Sequence, residues 1–128
     1  MRAVDTNVLV RLLARDDPRQ AAAADDFVAG GAWVSHLVLA EATWVLATVF
    51  SRSALQIGEA ITLLLEHEAL LMQDPDAVGH ALAHFRKKPS LAFSDCLMLE
   101  IARKAGHIPL GTFDRDLGRL DGATRLNG

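Results

Sequence analysis

The stretch that decides the fold comes first, where residues 1–14 read MRAVDTNVLVRLLA. Ala3-Val4-Asp5 is a short apolar run that ends in a carboxylate, which predicts a buried strand with Asp5 at its end. Thr6 and Asn7 follow with side chains that cap helices, and the apolar spacing predicts a helix over Val8–Ala14. The chain therefore opens with a strand that leads directly into a helix.

Outward from this stretch, helices and short apolar strands keep alternating. Further strands are predicted over Ala32–Val34, Ala69–Met72, Ile108–Thr112 and Ala123–Leu126. Further helices are predicted from Asp17-Pro18 to Gly30-Gly31, from Ser35 to Thr48, from Ser53 to Glu66, from Asp74-Pro75 to Lys88, from Ser94-Asp95 to Ala105, and over Asp114–Leu120. Because the strands are continuous apolar runs, the pattern favours a parallel sheet covered on both faces. We predict one α/β domain over residues 1–128, a three-layer sandwich around a short, mostly parallel central sheet of four to five strands.

Composition narrows the function classes. The 128 residues are 51% hydrophobic, which excludes a disordered chain, and aromatic residues reach only 5%, which argues against an RNA reader built on an aromatic sheet. Cys96 is the one cysteine, so no disulfide can form within the chain and a cytoplasmic location is expected. The apolar stretch 32–50 contains His36 and Glu41, and a carboxylate in mid-span argues against a membrane segment.

Four acidic residues follow or flank the predicted strand ends. They are Asp5, Glu41, Asp95 and Asp114, with Asp116 two residues further on. Ligands of open parallel sheets bind at the carboxyl ends of the strands, so these side chains are expected to meet at one edge. Like charges there repel by roughly 1–4 kcal/mol per close pair, and a divalent cation offsets that cost. Oxygen ligands alone favour Mg²⁺ or Mn²⁺ over Zn²⁺, and hydrolysis of a phosphodiester is the reaction expected at such a site.

Simpler interpretations exist for several of these residues. Asp95 could serve as an N-terminal helix charge, Asp114 as a helix cap, and Asp116 as a surface residue. His80 and His84 have the spacing of a zinc pair, but no third ligand is evident, so a solvated helix face is expected. The run 86–88 (RKK) could steer phosphates or complement the helix dipole.

Four segments resemble the motifs of the PIN-domain family. They are Val4–Leu9 (VDTNVL), Ser35–Glu41, Phe93-Ser94-Asp95, and Thr112–Leu117 (TFDRDL). The resemblance covers essentially the whole chain, and its size and motif order look like the VapC-type toxins of toxin–antitoxin pairs.

This resemblance implies a Mg²⁺- or Mn²⁺-dependent endoribonuclease whose acidic quartet falls on Asp5, Glu41, Asp95 and Asp114. Supporting polar positions would be Thr6, Asn7, Ser94 and Thr112, with Asp116 as an additional carboxylate. The resemblance also implies a homodimer, a VapB-type antitoxin that inhibits it, and a tRNA, rRNA or mRNA substrate.

Two other functions stay open at this point. The first is a phosphatase of another α/β fold with Asp5 as the nucleophile, although Asn7 stands where a second acid would be expected. The second is a PIN-like module that binds RNA or protein without catalysis. An idle acid cluster would only destabilise such a module, which favours the nuclease.

Overall fold

The computed structural model describes residues 1–128 and contains six α-helices and five short strands. The strands are β1 (Arg2–Ala3), β2 (Ala32–Val34), β3 (Leu70–Met72), β4 (Leu110–Thr112) and β5 (Ala123–Arg125). The helices are α1 (Thr6–Ala14), α2 (Pro18–Val28), α3 (His36–Thr48), α4 (Ala54–Glu66), α5 (Pro75–Lys87) and α6 (Phe93–Lys104), and a 3₁₀ helix spans Leu117–Arg119. The α/β class predicted from the sequence is confirmed.

All strand pairs are parallel, but they form two sheets instead of the single sheet that the sequence predicts. The first sheet has the order β1-β2-β3, and the second pairs β4 with β5. No backbone hydrogen bond joins the two sheets. Short apolar runs indicate strands but not which strands become neighbours. The division into two sheets could therefore not be predicted from the hydrophobic pattern of the sequence.

The core is one cluster of 23 buried residues that draws on every helix. Helix α1 packs on α2 and α3, α3 packs on α6, and α5 packs on α4 and α6. Helices α3 and α6 carry Glu41 and Asp95, two of the acids predicted to form the site.

Four of the predicted helix starts are confirmed by their caps. The side chains of Asp17, Ser35, Ser53 and Asp74 each accept a hydrogen bond from the first turn of the helix that follows. Ser53 also forms the predicted capping box with Gln56.

Other boundaries differ from the predictions. Helix α1 starts at Thr6 with Asp5 as its N-cap, and α6 starts at Phe93 after Ala92, which contributes no side-chain cap. The expected helix 114–120 is only a 3₁₀ turn. Strand β1 is shorter than predicted and exposed, and of the run Ala3-Val4-Asp5 only Val4 is buried.

Candidate active site

The first half of the site lies where α1 packs on α3. The backbone N–H of Val8 donates to Asp5 Oδ1 at 3.0 Å, so Asp5 closes the first turn of α1. The hydroxyl of Thr6 donates to Glu41 Oε2 at 2.7 Å and thereby links the two helices. Asp5 is exposed, so the expectation of a buried carboxylate is wrong, because a cap position keeps its oxygens near water.

The second half consists of Asp95 and Asp114. Asp95 lies in the first turn of α6 and is half-buried. Its burial, and secondly the nearby charge of Asp114, raise the pKa of the Asp95 carboxyl above its usual range. Two carboxylates from separate segments, α6 and the residues after β4, therefore come close enough to repel each other.

The conformation of Asp114 is fixed from two sides. Its backbone N–H donates to Thr112 Oγ1 at 3.0 Å, and its own Oδ2 accepts from the N–H of Leu117 at 2.7 Å. Asp114 is thus a cap, as one interpretation of the sequence expected, and it still presents its other oxygen to solvent.

All four acids keep an oxygen without a protein partner. Asp5, Glu41 and Asp114 each use one carboxylate oxygen in the hydrogen bonds above, and the carboxylate of Asp95 accepts none. None of the four forms an ion pair with a basic side chain. A set of free carboxylate oxygens has the donor chemistry that Mg²⁺ and Mn²⁺ prefer. No three His, Cys, Asp or Glu side chains lie close enough together to share one ion as they stand.

The supporting polar residues fall into two groups. Thr6 and Thr112 each bond a residue of the acidic set, whereas Asn7 and Ser94 form no side-chain hydrogen bond. Asp116 differs from the four acids because both of its oxygens are engaged. Its Oδ2 accepts from the Ser90 hydroxyl at 3.3 Å, and Oδ1 lies 3.4 Å from Lys88 Nζ. Asp116 thus ties its loop to the end of α5.

A cavity of 190 Å³ connects the helices that carry the two halves of the site. Thr43 and Trp44, from α3, lie on one side of it, and Phe93 and Ser94, from the start of α6, lie on the other. Glu41 precedes the first pair by two residues and Asp95 immediately follows the second. Neither acid lines the cavity itself, and each lies within two residues of a lining side chain.

Cys96 does not contribute a nucleophile. It is fully buried next to Asp95, and burial raises the pKa of its thiol to about 11, with the charge of Asp95 as the next cause. The reactive form of cysteine is the thiolate, so at neutral pH this thiol is inert.

Glu100 is a buried charge that the sequence did not predict. This side chain is only 5% exposed and accepts a hydrogen bond at 3.1 Å from Arg103 Nε. It accepts a second one at 3.1 Å from His84 Nε2 when that histidine nitrogen carries a proton. The solvated-face prediction is therefore wrong for His84 and holds for His80, whose side chain is 72% exposed. Residues 84, 100 and 103 have opposite charges or can acquire them, which hints at an ion-pair cluster. That hint is usable only if one already knows that α5 packs against α6.

The basic run after α5 is partly committed to protein contacts. Arg86 donates to the hydroxyl of Thr62, and Lys88 pairs with Asp116. Only Lys87 is left without a partner, so this run is a weaker phosphate-steering patch than its sequence indicates.

Comparison with known proteins agrees with the fold. Residues 2–123 match the PIN domain family, and the chain belongs to that family. No match was found among curated proteins or among solved structures. Membership in this family indicates a nuclease-type function. None of the helices combines the length and the apolarity that crossing a bilayer requires.

Proposed function

We propose that this chain is a Mg²⁺- or Mn²⁺-dependent endoribonuclease, the toxin component of a type II toxin–antitoxin system. The observation that carries the catalytic part is the set of four carboxylates on α1, α3, α6 and the residues after β4, each with a free oxygen. PIN-family membership supports a nuclease, and the resemblance of the four motifs to VapC-type toxins supports the toxin assignment.

Asp95 and Asp114 are the first residues expected to hold the cation. Burial and, secondly, the charge of Asp114 raise the pKa of the Asp95 carboxyl, and a divalent ion would offset both of these costs. Asp5 and Glu41 would complete the set with their free oxygens. The chemistry such an ion supplies when bound is neutralisation of phosphate charge and a more acidic water molecule.

The chain's own contribution is orientation and proton handling. The hydroxyl of Thr6 fixes Glu41 through Oε2, which leaves Oε1 to accept a hydrogen bond from the attacking water. Water then attacks the phosphorus, the bond to the leaving ribose oxygen breaks, and the proton ends on that oxygen. Asp114 is held by Thr112 and by the N–H of Leu117, so its free oxygen keeps a fixed direction during this step.

The decisive test is cleavage of a total-RNA pool by purified protein with Mn²⁺ and with EDTA. Asp5→Asn is the site variant, and Asp26→Asn is its matched control, because Asp26 is exposed on α2 and has no partner. We expect discrete fragments that require Mn²⁺, disappear with Asp5→Asn and persist with Asp26→Asn. Cleavage that survives both EDTA and Asp5→Asn would refute the carboxylate site.

The toxin assignment has its own test in cells. Expression of the chain should arrest growth, Asp5→Asn should relieve the arrest, and a small protein encoded next to this gene should relieve it by binding. Growth arrest that is independent of Asp5 would contradict a nuclease toxin.

We further propose that the chain forms a homodimer in the cytoplasm, a location that its single, buried cysteine supports.

Family membership affects the two alternative functions, a phosphatase and a binding module, differently. A phosphatase from another α/β family has no support, because the chain belongs to the PIN family. A binding module without catalysis would be indicated by protein that binds RNA but cleaves none of the pool with Mn²⁺.

A further inference from the structure

The cavity between α3 and α6 has a composition that the proposed cleavage reaction does not explain. Its 190 Å³ are bounded mainly by apolar side chains, including Ile57, Phe85 and Phe93. It is smaller than the about 300–1,000 Å³ of sites that enclose whole drug-sized ligands. The space therefore suits a single ring system and not an entire nucleotide.

Arg52 is the unusual residue of this wall. It is half-buried and pairs with no carboxylate, and its guanidinium makes one long hydrogen bond, at 3.5 Å, to the carbonyl of Ala14. A partly desolvated cation without a partner is unfavourable, so Arg52 has donors to offer to a ligand with acceptor atoms.

Trp44 contributes an aromatic surface at the same cavity. Its side chain lines the cavity and is nevertheless 63% exposed, which is high for so large an apolar residue. An exposed indole can stack on an unpaired base. Without a ligand, most of the apolar surface of this ring stays in contact with water, which is unfavourable.

We propose that this cavity receives one unpaired guanine base of the RNA and thereby sets the sequence preference of cleavage. The base stacks on Trp44, and Arg52 donates to its O6 and N7 acceptors, the pairing that arginine makes most often with bases. Ser94 lines the cavity with a hydroxyl that has no partner, and it directly precedes Asp95. This inference rests on the proposed function for its choice of RNA as the ligand.

Fluorescence provides a test that needs no catalysis. The sequence has two tryptophans and no tyrosine, so Trp33→Phe leaves Trp44 as the dominant emitter. This protein is titrated at low salt, in EDTA, with the oligoribonucleotides UUGUU, UUAUU, UUCUU and UUUUU. Arg52→Gln is the test variant, and Arg19→Gln on α2 is the charge-matched control, which does not line the cavity.

We expect UUGUU to quench Trp44 saturably and to bind at least about fivefold tighter than the other three, as one bidentate base contact provides. Arg52→Gln should abolish that preference and Arg19→Gln should keep it. Equal binding of all four, or no saturable quenching, overturns the proposal. Stronger quenching by N-acetyl-phenylalaninamide than by UUGUU also overturns it, since the cavity would then hold an apolar side chain of a protein partner. Because the assay contains EDTA, its result is independent of whether the chain cleaves RNA.

Discussion

The surroundings of Asp95 disfavour the charged form of its carboxyl. Burial and the charge of Asp114 raise its pKa, so above the ordinary carboxyl pKa the folded state binds more protons than the unfolded state. The stability of the fold therefore falls as the pH rises through that window.

Because the charged form of Asp95 is disfavoured in the fold, we predict that Asp95→Asn raises the melting temperature at about pH 7. At about pH 3 the carboxyl is protonated in the folded and in the unfolded protein, so the melting temperature should stay unchanged. The same variant should lose cleavage by at least about a hundredfold. Differential scanning calorimetry with and without Mn²⁺ tests the stability part. We expect Mn²⁺ to stabilise the parent and not the variant, with Asp26→Asn behaving as the parent. A variant that melts lower than the parent at neutral pH would contradict the repulsion.

Thr6 offers a second prediction at this scale, because one hydroxyl holds Glu41 at 2.7 Å. Thr6→Val keeps the shape and removes the donor, so the apparent Mn²⁺ affinity in cleavage assays should fall by roughly 10–100-fold. Thr6→Ser retains the hydroxyl and should retain most of the affinity. If Thr6→Ser loses as much affinity as Thr6→Val, the hydroxyl alone does not account for the effect.

The sequence singled out four acids as candidates but did not predict their local surroundings. Asp5 was expected to be buried and costly, yet it is an exposed helix cap. A single strand-ending Asp cannot reveal which side of the backbone becomes covered, since that depends on the helices that pack around it. The pairing of Thr6 with Glu41 joins positions 35 residues apart and has no signature in the sequence.

At the scale of elements, the pair α5–α6 encloses the charge of Glu100. Glu100→Ala removes the acceptor of His84 and Arg103 and leaves a hole in the interface. We predict that it lowers the free energy of unfolding by about 2–4 kcal/mol. Urea denaturation measures the change, with Glu59→Ala on the exposed face of α4 as control. A loss no larger than that of Glu59→Ala would mean that the buried contacts contribute nothing net.

Helix starts were predictable because their signals are local. Asp17-Pro18, Ser53 with Gln56, and Asp74-Pro75 each carry the cap within four residues. Glu100 was not predictable, because a charged residue on an amphipathic helix normally faces water, and only the packing of α5 against α6 covers it.

At the scale of the whole molecule, helix α4 leaves apolar side chains uncovered. Leu55 is 74% exposed and Leu63 is 64% exposed. We predict that they contact the second copy in the proposed homodimer, because apolar surface of this kind is favourable to bury. The double variant Leu55→Glu/Leu63→Glu should keep its circular dichroism spectrum and show half the parent's mass by light scattering. A parent that is monomeric at high concentration would contradict the dimer.

The separation of the two sheets has a consequence for motion. Asp114 follows β4, in the two-stranded sheet, while Asp95 belongs to α6, so their repulsion acts across the boundary between two hydrogen-bonded units. Units that share no backbone hydrogen bonds can open separately, and amide hydrogen exchange reports each opening by itself. With Mn²⁺ bound between the two acids, exchange in β4 and β5 should slow while exchange in β1–β3 stays constant. Metal binding would then stabilise residues 110–125 selectively, whereas uniform slowing of all strands would indicate that the molecule opens as one unit.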